Sequence, residues 1–221
     1  MACCAFAMTD PGRAPMRLEI RELTCRFGNA VAVDGVSLCV EPGEHVAVIG
    51  GNGSGKTTIL RAVMGLHRDR SGEILADGQP LPPELLTPHP RMVWMPQRQP
   101  RGQFPFTVRE LLASGPNESE SLATAERLGI GGLQHRPLSA LSGGQLQRAF
   151  LARALGGLAE GGLLLADEPT AALDFQGQEQ VADMLAALRA TMLVVTHDLA
   201  LARKCHRTLQ MAQGSIRGIA L

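Results

Sequence analysis

Residues 45–60 read HVAVIGGNGSGKTTIL, an apolar run that passes through clustered glycines into a lysine and two threonines. Val46 to Ile49 has the β-branched density of a strand buried on both faces. Lys56 to Leu66 carries a helical pattern, clearest from Thr58. Between the two, Gly50, Gly55, Lys56 and Thr57 satisfy G-x-x-x-x-G-K-[ST]. A strand that turns through glycines into a helix presents successive backbone N–H groups and the helix N-terminus to one small volume, an arrangement suited to phosphate oxygens. The loop Gly50, Gly51, Asn52, Gly53, Ser54, Gly55 is rich in glycine because side chains would obstruct that approach and some positions need φ > 0. Lys56 is expected to reach the β- and γ-phosphates of a nucleotide and Thr57 to offer its hydroxyl to Mg²⁺, with Thr58 completing the candidate binding set. Lys56 is one of only two lysines, the other being Lys204, in a chain that otherwise uses arginine.

Downstream, LLLADEP at 163–169 is an apolar strand ending in two carboxylates. At the carboxyl end of a strand beside a phosphate loop, Asp167 is placed to hold Mg²⁺ through its water shell. Glu168 can polarise an attacking water as a general base. LSGGQ at 141–145 opens a helical pattern, LQRAFLARAL. Ser142, Gly143 and Gly144 there offer a hydroxyl and N–H groups, either as a second anion site or as a plain N-cap. Two phosphate sites in one chain suggest a γ-phosphate clamped between two copies.

The remainder has the rhythm of an α/β fold. LEIRELTCRFG from 18 and VSLCV from 36 alternate as strands, SGEILADGQPL is a hairpin turning at Asp77-Gly78, and MVWM is a strand ending at Pro96-Gln97. Helical patterns cover 107–113, 119–129 and 145–155, and LLLAD, 178–188, MLVVT and LALARK then alternate strand and helix. Residues 1–15, with Pro11, Gly12 and Pro15, read as a flexible tail before a domain starting near Met16. Met8 and Met16 are alternative starts, and no further domain is expected after GSIRGIAL.

Composition narrows the class. Of 221 residues 45% are hydrophobic and 19% charged, with 21 basic side chains against 21 acidic, which excludes low-hydrophobicity disorder and disfavours binding nucleic acid through a basic surface. No apolar run approaches a membrane span, and MACCAFAM lacks the charged start of a secretory signal, so the chain reads as cytoplasmic. Cysteines at 3, 4, 25, 39 and 205 are odd in number and lack metal-ligand spacing. They read as reduced thiols, with Cys25 and Cys39 as small core residues.

From Met16 to Ile219 these residues resemble the nucleotide-binding subunit of ATP-binding cassette (ABC) transporters. GGNGSGKT resembles the Walker A loop, LLLADE the Walker B strand, LSGGQ the family signature and AALD at 171–174 the D-loop. The resemblance implies a P-loop NTPase fold with a mixed sheet, an antiparallel β subdomain and a small helical subdomain. Its catalytic core would be 16–97 with 139–221 and its helical insert 98–138. It implies ATP as substrate with Mg²⁺, Phe27 in CRFGN stacking on adenine, Gln97 touching Mg²⁺ or the water, and His197 in VVTHD contacting the γ-phosphate. It further implies a head-to-tail homodimer in which Ser142, Gly143, Gly144, Gln145 and Asp174 act in trans, and peripheral attachment to the inner membrane face through separate permease subunits. Gln97 to Ser142 spans 142 − 97 = 45 positions, short for importers of this type.

QFPFTVRELLASG at 103–115 resembles importers for zinc or manganese and also those for chelated iron, and the signature helix fits the metal group. Metal-ion import is the expectation, fed by an extracytoplasmic binding protein, with siderophore or haem import the alternative. A soluble ABC ATPase of DNA repair or translation, or a module that holds nucleotide without turnover, are readings of a different class. The first would show paired cassettes, a coiled coil or zinc-hook cysteines, and the second is opposed by Glu168 and His197.

Overall fold

A computed structural model describes residues 14–83, 89–97, 106–158 and 161–220. The strands β3 (His45–Ile49), β7 (Leu163–Asp167) and β8 (Thr191–Val195) are short, dominated by aliphatic residues, and buried on both faces. Such strands suit a parallel sheet covered on both sides. With β6 (Met92–Met95), β9 (Arg207–Ala212) and β10 (Ser215–Ile219) they form a six-stranded sheet of order β10-β9-β3-β8-β7-β6, parallel from β9 to β6 with β10 antiparallel at its edge. A second, antiparallel sheet has the order β2-β1-β4-β5, from β1 (Leu18–Phe27), β2 (Ala30–Val40), β4 (Arg70–Ala76) and β5 (Gln79–Pro80).

Period-two alternation divides the buried side chains between two cores. Met192 and Val194 of β8 join Ala47, Leu164 and Ala166 in one, packed under the helices α4 (Gly143–Gly156), α5 (Phe175–Ala186) and α6 (Leu199–Lys204). Leu193 and Val195 face the other way with Val46, Val48, Leu163 and Leu165, where α1 (Lys56–Val63) and the antiparallel sheet close over them. The expected mixed α/β architecture with an antiparallel β layer is therefore present.

Two short helices precede α4. α2 (Val108–Ala113) starts on a capping box in which the Glu110 N–H donates to Thr107 Oγ1 at 3.3 Å and the Thr107 N–H to Glu110 Oε2 at 2.7 Å. α3 (Glu118–Arg127) starts on Asn117, and both pack against α4.

Several local readings need correction. The first helix stops at Val63 rather than Leu66, because Gly65 enters the left-handed region at φ 68° and its N–H and that of Leu66 turn back to the carbonyls of Ala62 and Arg61. The hairpin β9–β10, turning at Gln213-Gly214, has no counterpart in the sequence reading. Cys25 is buried, as expected, but Cys39 is only half-buried and its thiol donates to Glu41 Oε1 at 3.1 Å. Most of the expected N-terminal tail, Cys3 and Cys4 included, lies outside the described residues, as do residues 98–105 of the expected helical insert. Ala14 and Pro15 are tied down: the Gly162 N–H donates to the Ala14 carbonyl at 3.1 Å, and Pro15 bridges to Gly162.

Candidate functional site

At the carboxyl ends of β3 and β7 lies a cavity of about 510 Å³, walled by Phe27, Ala32, the loop from Asn52 to Thr58, Gln97, Asp167 and Glu168. The glycine loop owes its path to close neighbours on two sides. Gly55 has φ 107°, and a Cβ there would overlap the Ala32 carbonyl oxygen and the Met211 side chain; at Gly50 a Cβ would overlap the Met211 carbonyl oxygen. The turn of the β9–β10 hairpin grips the same loop. The Gly214 N–H donates to Ser54 O at 3.2 Å, and the Gly214 carbonyl accepts the Asp34 N–H at 2.9 Å.

Helix α1 begins on Gly55 with no side-chain cap, so its first N–H groups are available to an anion at the helix's positive end. Lys56 is buried, and its ammonium donates to the carbonyls of Gly50 at 2.7 Å and Gly51 at 2.9 Å. Those two glycines hold the lysine rather than wall the cavity. Phe27, 53% exposed, rests its ring 4.7 Å from that of buried His67, tilted by 58°. One ring face is thus supported and the other side stays open to a planar ligand.

The two carboxylates after β7 sit in different surroundings. Asp167 is 1% exposed, and neither oxygen makes a well-formed hydrogen bond among the described residues, the Thr57 hydroxyl being only a loose neighbour. Burial pushes its carboxyl above the ordinary aspartate range and the neighbouring Glu168 charge adds to this, while the Thr57 hydroxyl, Lys56 and Arg61 oppose it. An orphaned buried carboxylate beside a threonine hydroxyl is a donor set that fits a hard divalent cation such as Mg²⁺. Glu168 has φ 53°, and its Oε2 lies 2.8 Å from His197 Nδ1 and 3.2 Å from the His197 N–H that donates to it. His197 itself is exposed. Gln97 is exposed as well and lies on the wall shared with an adjoining cavity of about 370 Å³ lined by Thr57, Arg61, Trp94, Pro96 and Asp167.

The remaining candidates gather elsewhere. Ser142, Gly143, Gly144, Gln145 and Asp174 line a separate cavity of about 440 Å³ together with Arg148, Ala172 and Leu173. Ser142 Oγ accepts the Gln145 N–H at 3.2 Å and Gln145 Oε1 accepts the Ser142 N–H at 3.1 Å, a capping box at the head of α4. Asp174 caps α5 through the Gly177 N–H at 2.9 Å. One chain therefore brings its nine-residue loop motif, the Asp167–Glu168 pair, His197, Gln97 and Phe27 to one place and its second glycine motif to another. The sequence reading passed over Ala32 and His67, whose contacts with Gly55 and Phe27 are distant in sequence and leave no local signal.

A parallel sheet whose first buried strand feeds a glycine loop and helix, with carboxylates at the end of a neighbouring strand, defines a nucleotide-binding α/β ATPase of the P-loop class. Residues 33–171 match the family described as ABC transporter. A hemin import ATP-binding protein of Rhodopseudomonas palustris is 37% identical over 85% of this chain and 76% of its own length. A zinc import ATP-binding protein of Paracoccus denitrificans is 37% identical over 78% of this chain and 66% of its own. The ATP-binding cassette MJ0796, solved as a dimer with ADP and Pi, superposes with a TM-score of 0.78 at 25% identity, covering 92% of this chain and 98% of that one. The chain belongs to the ABC transporter ATP-binding family, as an ATP-hydrolysing subunit.

Proposed function

We propose that this ATPase subunit energises import of a metal ion, such as zinc or manganese, through separate permease subunits that hold it on the inner face of the membrane. The observation that carries the catalytic part is the Glu168–His197 contact of 2.8 Å beside the glycine-loop cavity, next to an unpartnered Asp167. In this reading, ATP lays its base on Phe27 and its phosphates along the loop from Gly50 to Thr58. Lys56 exchanges the carbonyls of Gly50 and Gly51 for the β- and γ-phosphates, so a cation already held by neutral dipoles is released to a stronger partner. Thr57, Asp167 and Gln97 would hold Mg²⁺, which would supply charge neutralisation to the phosphates. Glu168 takes the proton of the attacking water, and His197 orients that carboxylate and contacts the γ-phosphate.

Ser142, Gly143, Gly144, Gln145 and Asp174 sit in a different cavity from the loop, so one chain does not enclose a γ-phosphate from both sides. A head-to-tail pair, with the second motif facing the loop of the other protomer, closes two equivalent sites. The core is taken as 16–97 with 139–221, and the insert 98–138 as the surface facing the permease. No helix among the described residues is long and apolar enough to cross a membrane, which is compatible with a separate permease. An extracytoplasmic binding protein delivers the cargo, and no nucleic-acid partner is invoked.

Haem import is the second reading, favoured by the hemin-import relative at an identity equal to that of the zinc importer. Deleting the gene and measuring cellular zinc and manganese, alongside growth with hemin as sole iron source, separates the two. Loss of metal content with normal hemin use supports the first reading, and the converse pattern the second. For the chemistry, Glu168→Gln should bind ATP normally, accumulate as a closed dimer and turn over about 10²–10⁴-fold more slowly. Wild-type turnover would sink the base assignment.

A further inference from the structure

Glu168 occupies a backbone conformation uncommon for a residue with a Cβ, at φ 53°. Something must hold it there. Its N–H is fixed by the Val195 carbonyl at 2.8 Å, and its carboxylate by His197, both at the end of β8. On the other side, the carbonyl of Glu168 accepts the Ala171 N–H at 3.1 Å and the side-chain amide of Gln147 at 3.1 Å. The same Gln147 Nε2 donates to the Pro169 carbonyl at 2.8 Å. Gln147 is 3% exposed and is not among the residues walling either the glycine-loop cavity or the Ser142 cavity. It lies on α4, 147 − 142 = 5 positions after Ser142, about 7.5 Å along the helix axis.

We propose that Gln147 is a positioning residue: its amide pins the 168–169 peptide carbonyls, sets the direction of the Glu168 carboxylate, and ties that direction to the placement of α4. A buried amide that forks onto two successive carbonyls fixes the peptide planes on either side of Pro169 Cα, and a displaced helix drags both. Because α2 and α3 pack on α4, a push on the helical segment reaches the base through this side chain. The proposal rests on reading Glu168 as the base.

The test uses the purified chain in four forms: wild type, Gln147→Met, Glu168→Gln and the double variant. Methionine keeps the length of glutamine and removes both donated bonds. ATP affinity is measured by equilibrium binding, and kcat and KM by phosphate release. Expected is a loss in kcat of about 10- to 100-fold for Gln147→Met, with ATP affinity changed by no more than about twofold, and no further loss when it is added to Glu168→Gln. Turnover within about twofold of wild type, a parallel loss of ATP affinity, or an equal loss in the Glu168→Gln background would each overturn the positioning role. If Gln147→Met does not fold, Gln147→Glu, of the same shape but presenting acceptor oxygens to those carbonyls, must show the same split or the proposal fails. Wild-type turnover by Glu168→Gln alone would instead remove the base reading, whatever Gln147 does.

Discussion

Asp167 shows how a residue suited to its site weighs on the fold. Its folded pKa lies above the unfolded one, so the stability linked to its protonation is fully present below the ordinary carboxylate range and is lost as pH rises through the folded value. At neutral pH the ionised group is a cost. Asp167→Asn is expected to raise the Tm of the nucleotide-free protein by about 2–4 °C, the shift that ~1 kcal/mol produces in a chain of this length, while abolishing Mg²⁺-dependent turnover. Calorimetry and phosphate release check the two halves separately. That Asp167 and Glu168 are adjacent and end a strand was legible, because strand and carboxylates are contiguous in LLLADE. Their division into an orphaned carboxylate and a histidine-paired one was not, since it depends on Val195, Thr196 and His197, which arrive from β8.

Among the elements, α4 begins on a serine that the helix itself already uses. In the isolated chain the Ser142 hydroxyl is engaged in its own capping box. Ser142→Ala should destabilise the protein by about 1 kcal/mol and Ser142→Gly by only a few tenths, because glycine is tolerated as an N-cap. If the hydroxyl also serves ATP in trans, both variants lose turnover to the same extent despite their different stabilities, which melting curves and ATPase rates from one preparation would reveal. The helices α2 to α5 were readable from apolar spacing to within a few residues. The β9–β10 hairpin was passed over although TLQMA alternates and Gln213-Gly214 punctuates it. A glutamine at φ 48° before a left-handed glycine makes the turn, and Gln-Gly is a weaker signal than Asn-Gly.

Across the whole molecule, the end of the sheet away from the cavity contains a proton-sensitive joint. His45 is 2% exposed, its Nε2 lies 3.1 Å from the Ala190 carbonyl, and its ring meets that of His206 edge-on at 5.0 Å. Its backbone N–H donates to His206 Nδ1 at 2.9 Å, a bond that requires that nitrogen unprotonated. Burial, and after it the His206 charge, lowers the pKa of His45; the adjacent Glu44 and Arg207 pair with each other at 2.9 Å. The neutral ring is the folded form, so this stability is fully present above the ordinary histidine pKa of about 6.5 and is lost as pH falls below it. Tm should fall between pH 7.5 and 5.5 with nucleotide absent, and His45→Gln should flatten that slope.

The glycine loop leans on Ala32, Met211 and Gly214, which stand far before and far after it in the chain. During synthesis the motif emerges complete in sequence long before residues 207–219 leave the ribosome, yet until then one side of its cradle is missing. A nascent chain that has displayed the whole motif is thus expected to hold ATP weakly, and full nucleotide capture coincides with closing of the β9–β10 hairpin rather than with translation of the motif. ATP binding therefore waits on a segment about 150 positions downstream of the motif that names it.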